Sequence, residues 1–515
     1  MADPASPSTA DLGAVIHIGA TSVSLLIGAP DKEKGFRKLE YLDKPLPLAR
    51  DIFRTGSVSR ATVEQAAGIL RDFQQSLNEN GVAPEAVRCY TTNILSEAAN
   101  HEIFINRMQV AAGRNVELLD DGDMTRLIYQ ITLRLLKNNT QIAQANTLVS
   151  HIGPGNTRAL YFRKGRIAAY SSYRLGIFRT REAVGGDAGA KHLSHIEEQI
   201  RGVVEQLTAD YSHFQETDYH VAIGAEIQCA APEVGEQKHG AYFIEPGKLD
   251  AFTKKLAGMS ADEVVRKLHL HYTGGEGMVA ALQTNLALAR SFDDKELVVP
   301  EGDFQRDLLV DLLSSNPQTR TFQDEVLQAA RTIARKYHTD RPHAEHVASF
   351  AQQLFRELKD LHGLDEKHEL LLRVAAILHE VGLFVSPREH HKHSLYLILN
   401  SEIFGLSTSD RTLVALLARY HRRYNPSPSH PHFNDLTREE RLTVLKLAAI
   451  LRLADALDRS HSQRIKKIQS RREGETLYVE TSGVEDTTVE QIAINGKSDL
   501  FEDIYGYEIM LRTAA

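Results

Sequence analysis

Two short hairpins of similar pattern stand out in the hydrophobic profile of the chain. They occupy residues 15–28 and 148–162. Each consists of an apolar stretch, a turn of small residues that begins with His-Ile-Gly, and a second apolar stretch. A pattern that recurs at domain-scale separation predicts two related lobes, each built around one hairpin.

Strand-like and helix-like segments alternate after each hairpin, which is typical of an α/β lobe. The predicted elements are helix 63–77, strand 87–92, helix 94–110, strand 116–119, strand 166–172, helix 195–214 and strand 219–224.

The pattern changes in the second half of the chain. Helical spacing begins at about residue 250, and residues 323–457 are rich in Ala and Leu at helical periods, with a Pro/Ser break at 425–431. Residues 476–481 alternate like a strand. The predicted fold class is therefore α/β plus all-α. Its predicted segments are a disordered lead-in at 1–12, lobe I at 13–145, lobe II at 146–315, a helical domain at 318–470 and a small α+β cap at 471–515.

Composition narrows the functional classes. The 515 residues are 42% hydrophobic and 25% charged, which is ordinary for a globular protein. The formal charge of −8 gives no general affinity for nucleic acid, so a polyanion site must be local. Two cysteines make no disulfide framework, and no apolar run could cross a bilayer. We expect a cytoplasmic protein without nucleic-acid or membrane partners.

The two hairpin turns are the first candidate site. Small-residue turns let backbone N–H groups surround an anion such as phosphate. The alternative is that both turns are sheet corners without a ligand. The candidate phosphate-binding residues are Gly19, Thr21, Ser22, Gly153, Gly155, Asn156, Thr157 and Arg158.

A second candidate site lies in the helical region. Imidazole and carboxylate groups recur there on successive predicted helices, an order that an HD-type metal phosphohydrolase uses. The alternative is that these histidines only cap helix ends. The candidate metal ligands are His343, His379, Glu380 and Asp455.

Local positive charge is the third feature. Basic residues concentrate in the same region, although the chain as a whole is acidic. They form either a solvated face or a track for a polyanion. The candidate track residues are Lys392, Arg419, Arg422, Arg423, Lys466 and Lys467.

With these motifs, the chain resembles the exopolyphosphatase/guanosine pentaphosphate phosphatase (Ppx/GppA) family. The segments that carry the resemblance are the two hairpins, Arg126–Tyr129, Leu175–Glu182, Leu378–Gly382, His391–Ser394, Arg419–Arg422 and Leu451–Asp458. The resemblance implies two actin-like ATPase (ribonuclease H-like) lobes, an HD-like helical domain and a C-terminal cap. It also implies a homodimer that removes terminal phosphate from polyphosphate, or the 5′ γ-phosphate from pppGpp, with Mg²⁺ or another divalent metal.

Several positions depart from the family pattern. His17 and His151 stand where the family has aspartates in the two turns, and Arg158 stands where it has a glutamate. Ser96 takes the place of a substrate-binding arginine. Asp123, the candidate catalytic residue, falls where the family has the glutamate proposed to activate water.

These departures favour a bare anion over a bound Mg²⁺ in the turns, because carboxylates are replaced by neutral or positive groups. Three hypotheses follow. The chain is an exopolyphosphatase or pppGpp phosphatase with an altered site, a silent sensor that binds polyphosphate or an alarmone, or a metal phosphohydrolase that uses the helical domain.

Overall fold

This computed structural model describes residues 12–31, 35–179, 198, 200–202, 204–206, 209, 217–268, 270, 272–292, 296–313, 320–422, 424–482, 484 and 486–513. Residues 1–11 of the predicted lead-in at 1–12 and most of the predicted helix 195–214 lie outside these residues. The chain divides into two compact units, Met1–Pro317 and Gln318–Ala515.

Lobe I contains a five-stranded mixed sheet. Its strands are β1 (Gly13–Ile18), β2 (Ser22–Asp31), β3 (Gly35–Pro45), β4 (Val87–Thr91) and β5 (Glu117–Leu118), in the order β3-β2-β1-β4-β5. The predicted hairpin is confirmed, because β1 and β2 pair antiparallel. Its helices are α1 (Leu48–Thr55), α2 (Arg60–Glu79), α3 (His101–Ala112), α4 (Asp121–Asn138) and α5 (Thr140–Gln144).

The prediction of one helix over 94–110 was wrong at its start. A 3₁₀ turn occupies Asn93–Glu97, and α3 begins only at His101. Between them Ala98 is extended, and the Asn100 amide bonds to both the N–H and the carbonyl of Val58. These side-chain bonds compete with helical ones, so the helix starts after Asn100.

Lobe II repeats this topology. Its strands are β6 (Asn146–Ile152), β7 (Thr157–Arg163), β8 (Arg166–Tyr173), β9 (Tyr219–Ile223), β10 (Glu236–Lys238), β11 (Ala241–Ile244) and β12 (Leu297–Pro300). Their order is β10-β11-β12-β9-β6-β7-β8, so the run β8-β7-β6-β9-β12 matches the order in lobe I. Its helices are α6 (Ala225–Val234), α7 (Pro246–Ala257), α8 (Ala261–Leu268), α9 (Tyr272–Ser291) and α10 (Phe304–Leu313).

Both lobes share one large hydrophobic core. It includes residues of the first hairpin, such as Ile16 and Leu25, together with Leu148 and Tyr161 of the second. All four side chains are buried. A second core cluster, with Leu249 as one of its members, lies within lobe II. Strand residues buried on both faces explain why the hairpin sequences read as nearly continuous apolar runs.

The second unit is mostly helical and ends in a small sheet. Its helices are α11 (Arg320–Lys336), α12 (Arg341–Glu357), α13 (Lys359–His362), α14 (Glu366–Leu378), α15 (His390–Leu399), α16 (Thr408–Tyr420), α17 (Arg438–Ala456), α18 (Thr488–Asn495) and α19 (Asp499–Tyr505). Strands β13 (Lys467–Glu473), β14 (Thr476–Ser482) and β15 (Glu508–Thr513) form a three-stranded sheet. None of the described helices is long and apolar enough to cross a membrane.

Candidate functional site

The first candidate turn is a tight connection between β1 and β2. The Gly19 N–H donates to the Ser22 carbonyl at 2.8 Å. A Cβ on Gly19 would lie 3.0 Å from that oxygen and 3.2 Å from the Gln305 amide nitrogen. Glycine is therefore the residue that lets Gln305 approach this turn closely. Thr21 and Ser22 line a cavity between the lobes.

The second turn has the same construction. The Gly153 N–H donates to the Asn156 carbonyl at 2.9 Å, and the Thr157 hydroxyl donates to the Leu175 carbonyl at 2.7 Å. A Cβ on Gly155 would lie 2.9 Å from Cζ of Phe53, a lobe I residue. This turn is thus packed against lobe I, and the matched closing bonds confirm that the two hairpins are equivalent.

His17 and His151 occupy equivalent positions, one residue before the end of β1 and of β6. Both are buried, with 5% and 3% of their surfaces exposed. Burial lowers the pKa of His17 to about 4, and burial together with the Arg158 charge lowers the pKa of His151 to about 3. Both imidazoles are therefore neutral at pH 7.

Buried polar atoms without protein partners lie around both turns. They are both ring nitrogens of His17, Nδ1 of His151, Oδ1 of Asn156 and Nε of Arg158. Such groups are rare in folded proteins, because an unpartnered buried polar atom costs about 1–3 kcal/mol. Their concentration at the turns indicates that a polar ligand or solvent completes this site.

Helix α10 connects the two turns. The Phe304 ring lies 5.0 Å from the His151 ring, centroid to centroid, and the next residue, Gln305, approaches Gly19. Two adjacent residues of one helix thus contact both turns. Both turns border the same region between the lobes.

Asp123 does not point freely into this region. It forms a capping box at the start of α4, in which its N–H donates to Asp120 at 2.8 Å and its Oδ2 accepts from the Asp120 N–H at 3.3 Å. The acid that reaches the second turn is Asp121, which sequence reasoning missed. Its carboxylate pairs with Arg158 and accepts a bond of 2.7 Å from Asn93.

A second ion pair between the lobes lies next to Ser96. The Ser96 hydroxyl donates to the Asn93 carbonyl at 2.8 Å, while the neighbouring Glu97 binds Arg179 of lobe II. Arg179 also donates to the Gly155 carbonyl at 2.9 Å. Arg179 therefore ties the second turn to the segment where the family has its substrate-binding arginine.

A cavity of about 360 Å³ lies between the lobes beside the first turn. Its lining includes three acids that sequence reasoning did not select, Asp43, Glu226 and Asp303. Burial raises the pKa of Glu226 to about 7. Asp43 accepts from Ser24 at 2.7 Å, and Asp303 caps α10 by accepting from the Gln305 N–H at 2.9 Å.

Mg²⁺ does not fit the two turns. Neither turn carries a carboxylate, and Asp121 is held by Arg158. Mg²⁺ prefers oxygen ligands, whereas the unpartnered buried groups here are imidazoles, a guanidinium and a single amide oxygen, Oδ1 of Asn156. Among the described residues, one group brings three candidate metal ligands within 4.8 Å of one another, and it lies in the second unit, at His343, His379 and Glu380.

Asp455 completes the cluster that the sequence predicted in the helical region. Its Oδ1 lies 3.4 Å from Nε2 of His343 and 3.7 Å from Nε2 of His379. The structure thus brings His343, His379 and Glu380 together and places Asp455 beside the two histidines, although no spacing in the sequence required it.

The predicted basic track is only partly assembled. Burial, together with the charges of Arg422, Lys392 and Arg419, lowers the pKa of His391 to about 4, so these three track residues act on the same part of the surface. Lys466 instead donates to the Gln463 carbonyl at 2.8 Å, and Lys467 begins β13. Arg423 lies outside the described residues.

Known proteins place the chain in a family. The sequence model of the Ppx/GppA phosphatase family matches residues 32–316, and the model of Ppx/GppA phosphatase domain III matches residues 327–490. The chain belongs to the Ppx/GppA phosphatase family. The resemblance inferred from the motifs is therefore confirmed.

Individual members of the family are distant from this chain. Guanosine-5′-triphosphate,3′-diphosphate pyrophosphatases of Aeromonas hydrophila and Aliivibrio fischeri are 23% and 20% identical over 464 residues. These alignments cover 86% and 87% of this chain, and 86% and 88% of those proteins. The crystal structure of an exopolyphosphatase from Cytophaga hutchinsonii matches with a TM-score of 0.51 at 15% identity, over 59% of this chain and 97% of that one. This likeness supports the predicted actin-like fold.

Proposed function

We propose that this chain is a Ppx/GppA-type phosphohydrolase that acts on inorganic polyphosphate or on pppGpp, bound between the two hairpin turns. The observation that carries the proposal is the pair of equivalent turns with unpartnered buried polar atoms around them. The relatives named above act, by their names, on a guanosine polyphosphate or on polyphosphate. Condensed phosphate is the chemistry common to both substrates.

The residues of the turns suit an anion. A neutral imidazole at His17 and at His151 each has one N–H to donate, and Arg158, although paired with Asp121, keeps its Nε–H without a protein partner among the described residues. In this proposal Asp123 orients water for attack on the terminal phosphorus. The capping bond uses its Oδ2, and Oδ1 is the oxygen assigned to water.

A second candidate function is favoured because His17, His151 and Arg158 stand where the family has carboxylates. Phosphoryl transfer draws much of its rate from groups that clamp the phosphate and orient water. With His17, His151 and Arg158 in those places, the site retains anion binding and loses metal binding. In this candidate the chain senses polyphosphate or an alarmone without hydrolysing it.

One experiment separates the two functions. Phosphate release from long-chain polyphosphate and from pppGpp is measured on the full chain with Mg²⁺ and with EDTA, and binding of both compounds is measured in the same buffer. Release that Asp123→Asn abolishes supports the phosphohydrolase. Saturable binding without release, weakened at least tenfold by Arg158→Met, supports the sensor. Absence of both release and binding overturns both functions.

Homodimerisation and a cytoplasmic location stay predictions. We propose them together with the function, because the family resemblance implies the dimer and the composition favours a reducing compartment.

A further inference from the structure

Three buried side-chain atoms in the helical unit have no hydrogen-bond partner and lie close together. They are Nε2 of His343, Nε2 of His379 and Oε2 of Glu380. The ligand atoms of these three residues lie within 4.8 Å of one another. His343 and His379 are fully buried, and Glu380 is 8% exposed. Burying two imidazole nitrogens and a carboxylate oxygen without hydrogen bonds at these atoms carries a desolvation cost that a bound ligand would offset.

Asp455 places a second carboxylate beside the two histidines. Its Oδ1 lies 3.4 Å from the His343 nitrogen and 3.7 Å from the His379 nitrogen. Two ligands that share one ion at about 2.0–2.2 Å lie roughly 3.0–3.6 Å apart, depending on the coordination angle. The separations around Asp455 are close to this range. The four residues come from three different helices or their ends, so the fold itself assembles them.

The second ring nitrogens hold both imidazoles in the orientation that ligation needs. Nδ1 of His379 donates to the Ala376 carbonyl at 2.7 Å, and a carbonyl can only accept. Nε2 of His379 therefore presents its lone pair toward the cluster. Nδ1 of His343 lies 2.9 Å from Oδ2 of Asp458, which gives His343 the same arrangement. Carboxylate and carbonyl partners of this kind orient metal-bound histidines.

The backbone around His379 is also fixed. The Ser394 hydroxyl donates to the His379 carbonyl at 2.8 Å and accepts from the Gly382 N–H at 2.9 Å. A Cβ on Gly382 would lie 2.1 Å from the His390 carbonyl oxygen, so glycine lets α15 pack directly on this turn. The ligands are thus held in place before any ion binds.

We propose that the helical unit binds one transition-metal ion through His343, His379, Glu380 and Asp455. Two imidazoles and two carboxylates suit Zn²⁺, Mn²⁺, Fe²⁺ or Co²⁺ better than Mg²⁺ or Ca²⁺, which prefer oxygen ligands alone. The site is distinct from the two hairpin turns, since all of its ligands lie in the second unit.

Lys497 modifies this site. Its ammonium group pairs with Oδ2 of Asp455, the oxygen that does not face the two histidines. The lysine neutralises one carboxylate charge, but as a donor-only group it cannot coordinate a metal. We infer that Lys497 weakens metal binding by electrostatic competition and leaves the coordinating Oδ1 in place.

The test uses the full chain, stripped with EDTA and titrated with Co²⁺. Visible absorption reports the ligand field, and elemental analysis after desalting reports stoichiometry. We expect one Co²⁺ per chain, and at least tenfold weaker binding in His379→Ala and in Glu380→Gln. The matched control is His393→Ala, a partly exposed histidine on α15, which keeps wild-type affinity. Circular dichroism verifies that each variant is folded.

Lys497→Met supplies the second arm. We expect this variant to bind Co²⁺ three- to tenfold more tightly, and its metal-loaded form to melt at a higher temperature than its stripped form. Absence of stoichiometric Co²⁺, or full binding in both His379→Ala and Glu380→Gln, overturns the metal site. Unchanged or weaker binding in Lys497→Met overturns the competition by lysine. Neither readout depends on phosphate release, so failure here is distinguishable from failure of the proposed function.

Discussion

His17 and His151 couple the stability of the two lobes to pH. Burial lowers the pKa of His17 to about 4. As the pH falls, the unfolded chain therefore protonates this histidine near pH 6.5, whereas the folded chain protonates it only near pH 4. The same argument holds for His151, whose pKa falls to about 3. Their contribution to stability is therefore complete above pH 6.5 and is lost as the pH falls toward 4.

We expect His17→Gln to reduce the acid sensitivity of unfolding. At pH 5, about 1.5 pH units below the unfolded pKa, the buried histidine costs about 2 kcal/mol relative to pH 7. The check is urea unfolding at pH 5 and pH 7, followed by circular dichroism. His239→Gln, at an exposed position of lobe II, serves as the control. An equal loss of stability in wild type and His17→Gln between the two pH values would contradict this assignment.

The character of some single residues could be predicted from the sequence, whereas their ion-pair partners could not. Neutral histidines at positions 17 and 151 were assumed in the charge argument, and their burial in strands supports that assumption. The partner of Arg158 could not be predicted, because Asp121 lies 37 positions earlier and meets it only when the lobes fold together. Lys497 was missed for the same reason, since 42 positions separate it from Asp455.

Asp123 has two proposed roles at the start of α4, one as a helix cap and one as a catalytic residue. Asp120 and Asp123 cap this helix reciprocally, so loss of either carboxylate removes about 1 kcal/mol of stability. We expect Asp120→Ala and Asp123→Ala to lower the thermal midpoint by similar amounts. Phosphate release should fall far more in Asp123→Ala, by at least 100-fold, if its carboxylate orients water. Equal losses of activity in both variants would show that Asp123 acts only as a cap.

The signal for this cap was present in the sequence. An aspartate followed three positions later by a second acid, just before a helical apolar pattern, is the pattern of a capping box. Sequence reasoning assigned Asp123 by its place in the family motif and left Asp120 out. Asp123 can serve both as a helix cap and as the water-orienting group only if one of its carboxylate oxygens makes the capping bond and the other contacts the water.

The second turn depends on close contact between two glycines. A Cβ on Gly176 would lie 2.3 Å from the Gly155 backbone, and Ile177 donates to the Gly153 carbonyl at 3.0 Å. We expect Gly176→Ala to cost more than about 3 kcal/mol, since neither backbone can move away without breaking this bond. Gly247→Ala in α7, where a Cβ meets no atom within 4 Å, is the control and should be neutral or slightly stabilising. Thermal unfolding of both variants measures this difference in stability.

For the whole molecule, the repeated hairpin was the most informative feature of the sequence. It predicted two lobes, and the strand order around β1 in lobe I recurs around β6 in lobe II. The interlobe cavity was not predictable, because Asp43, Glu226 and Asp303 come from separate segments that only the tertiary fold brings together. The repetition of a lobe is visible in local patterns, whereas the composition of a cavity depends on contacts between residues distant in sequence.

Polyphosphate binding should depend on a local basic cluster and not on the net charge. The chain carries −8 overall, which disfavours a polyanion, whereas Lys392, Arg419 and Arg422 add local positive charge near His391. By analogy with nucleic acids, binding through about three such charges weakens roughly 10- to 100-fold between 50 and 200 mM salt. Replacing all three by Ala should abolish most of this salt dependence.

The matched control removes three lysines of lobe II, Lys248, Lys254 and Lys255, with the same change in net charge. Fluorescence anisotropy with labelled polyphosphate measures both variants, and equal weakening in the two would mean that net charge alone governs binding.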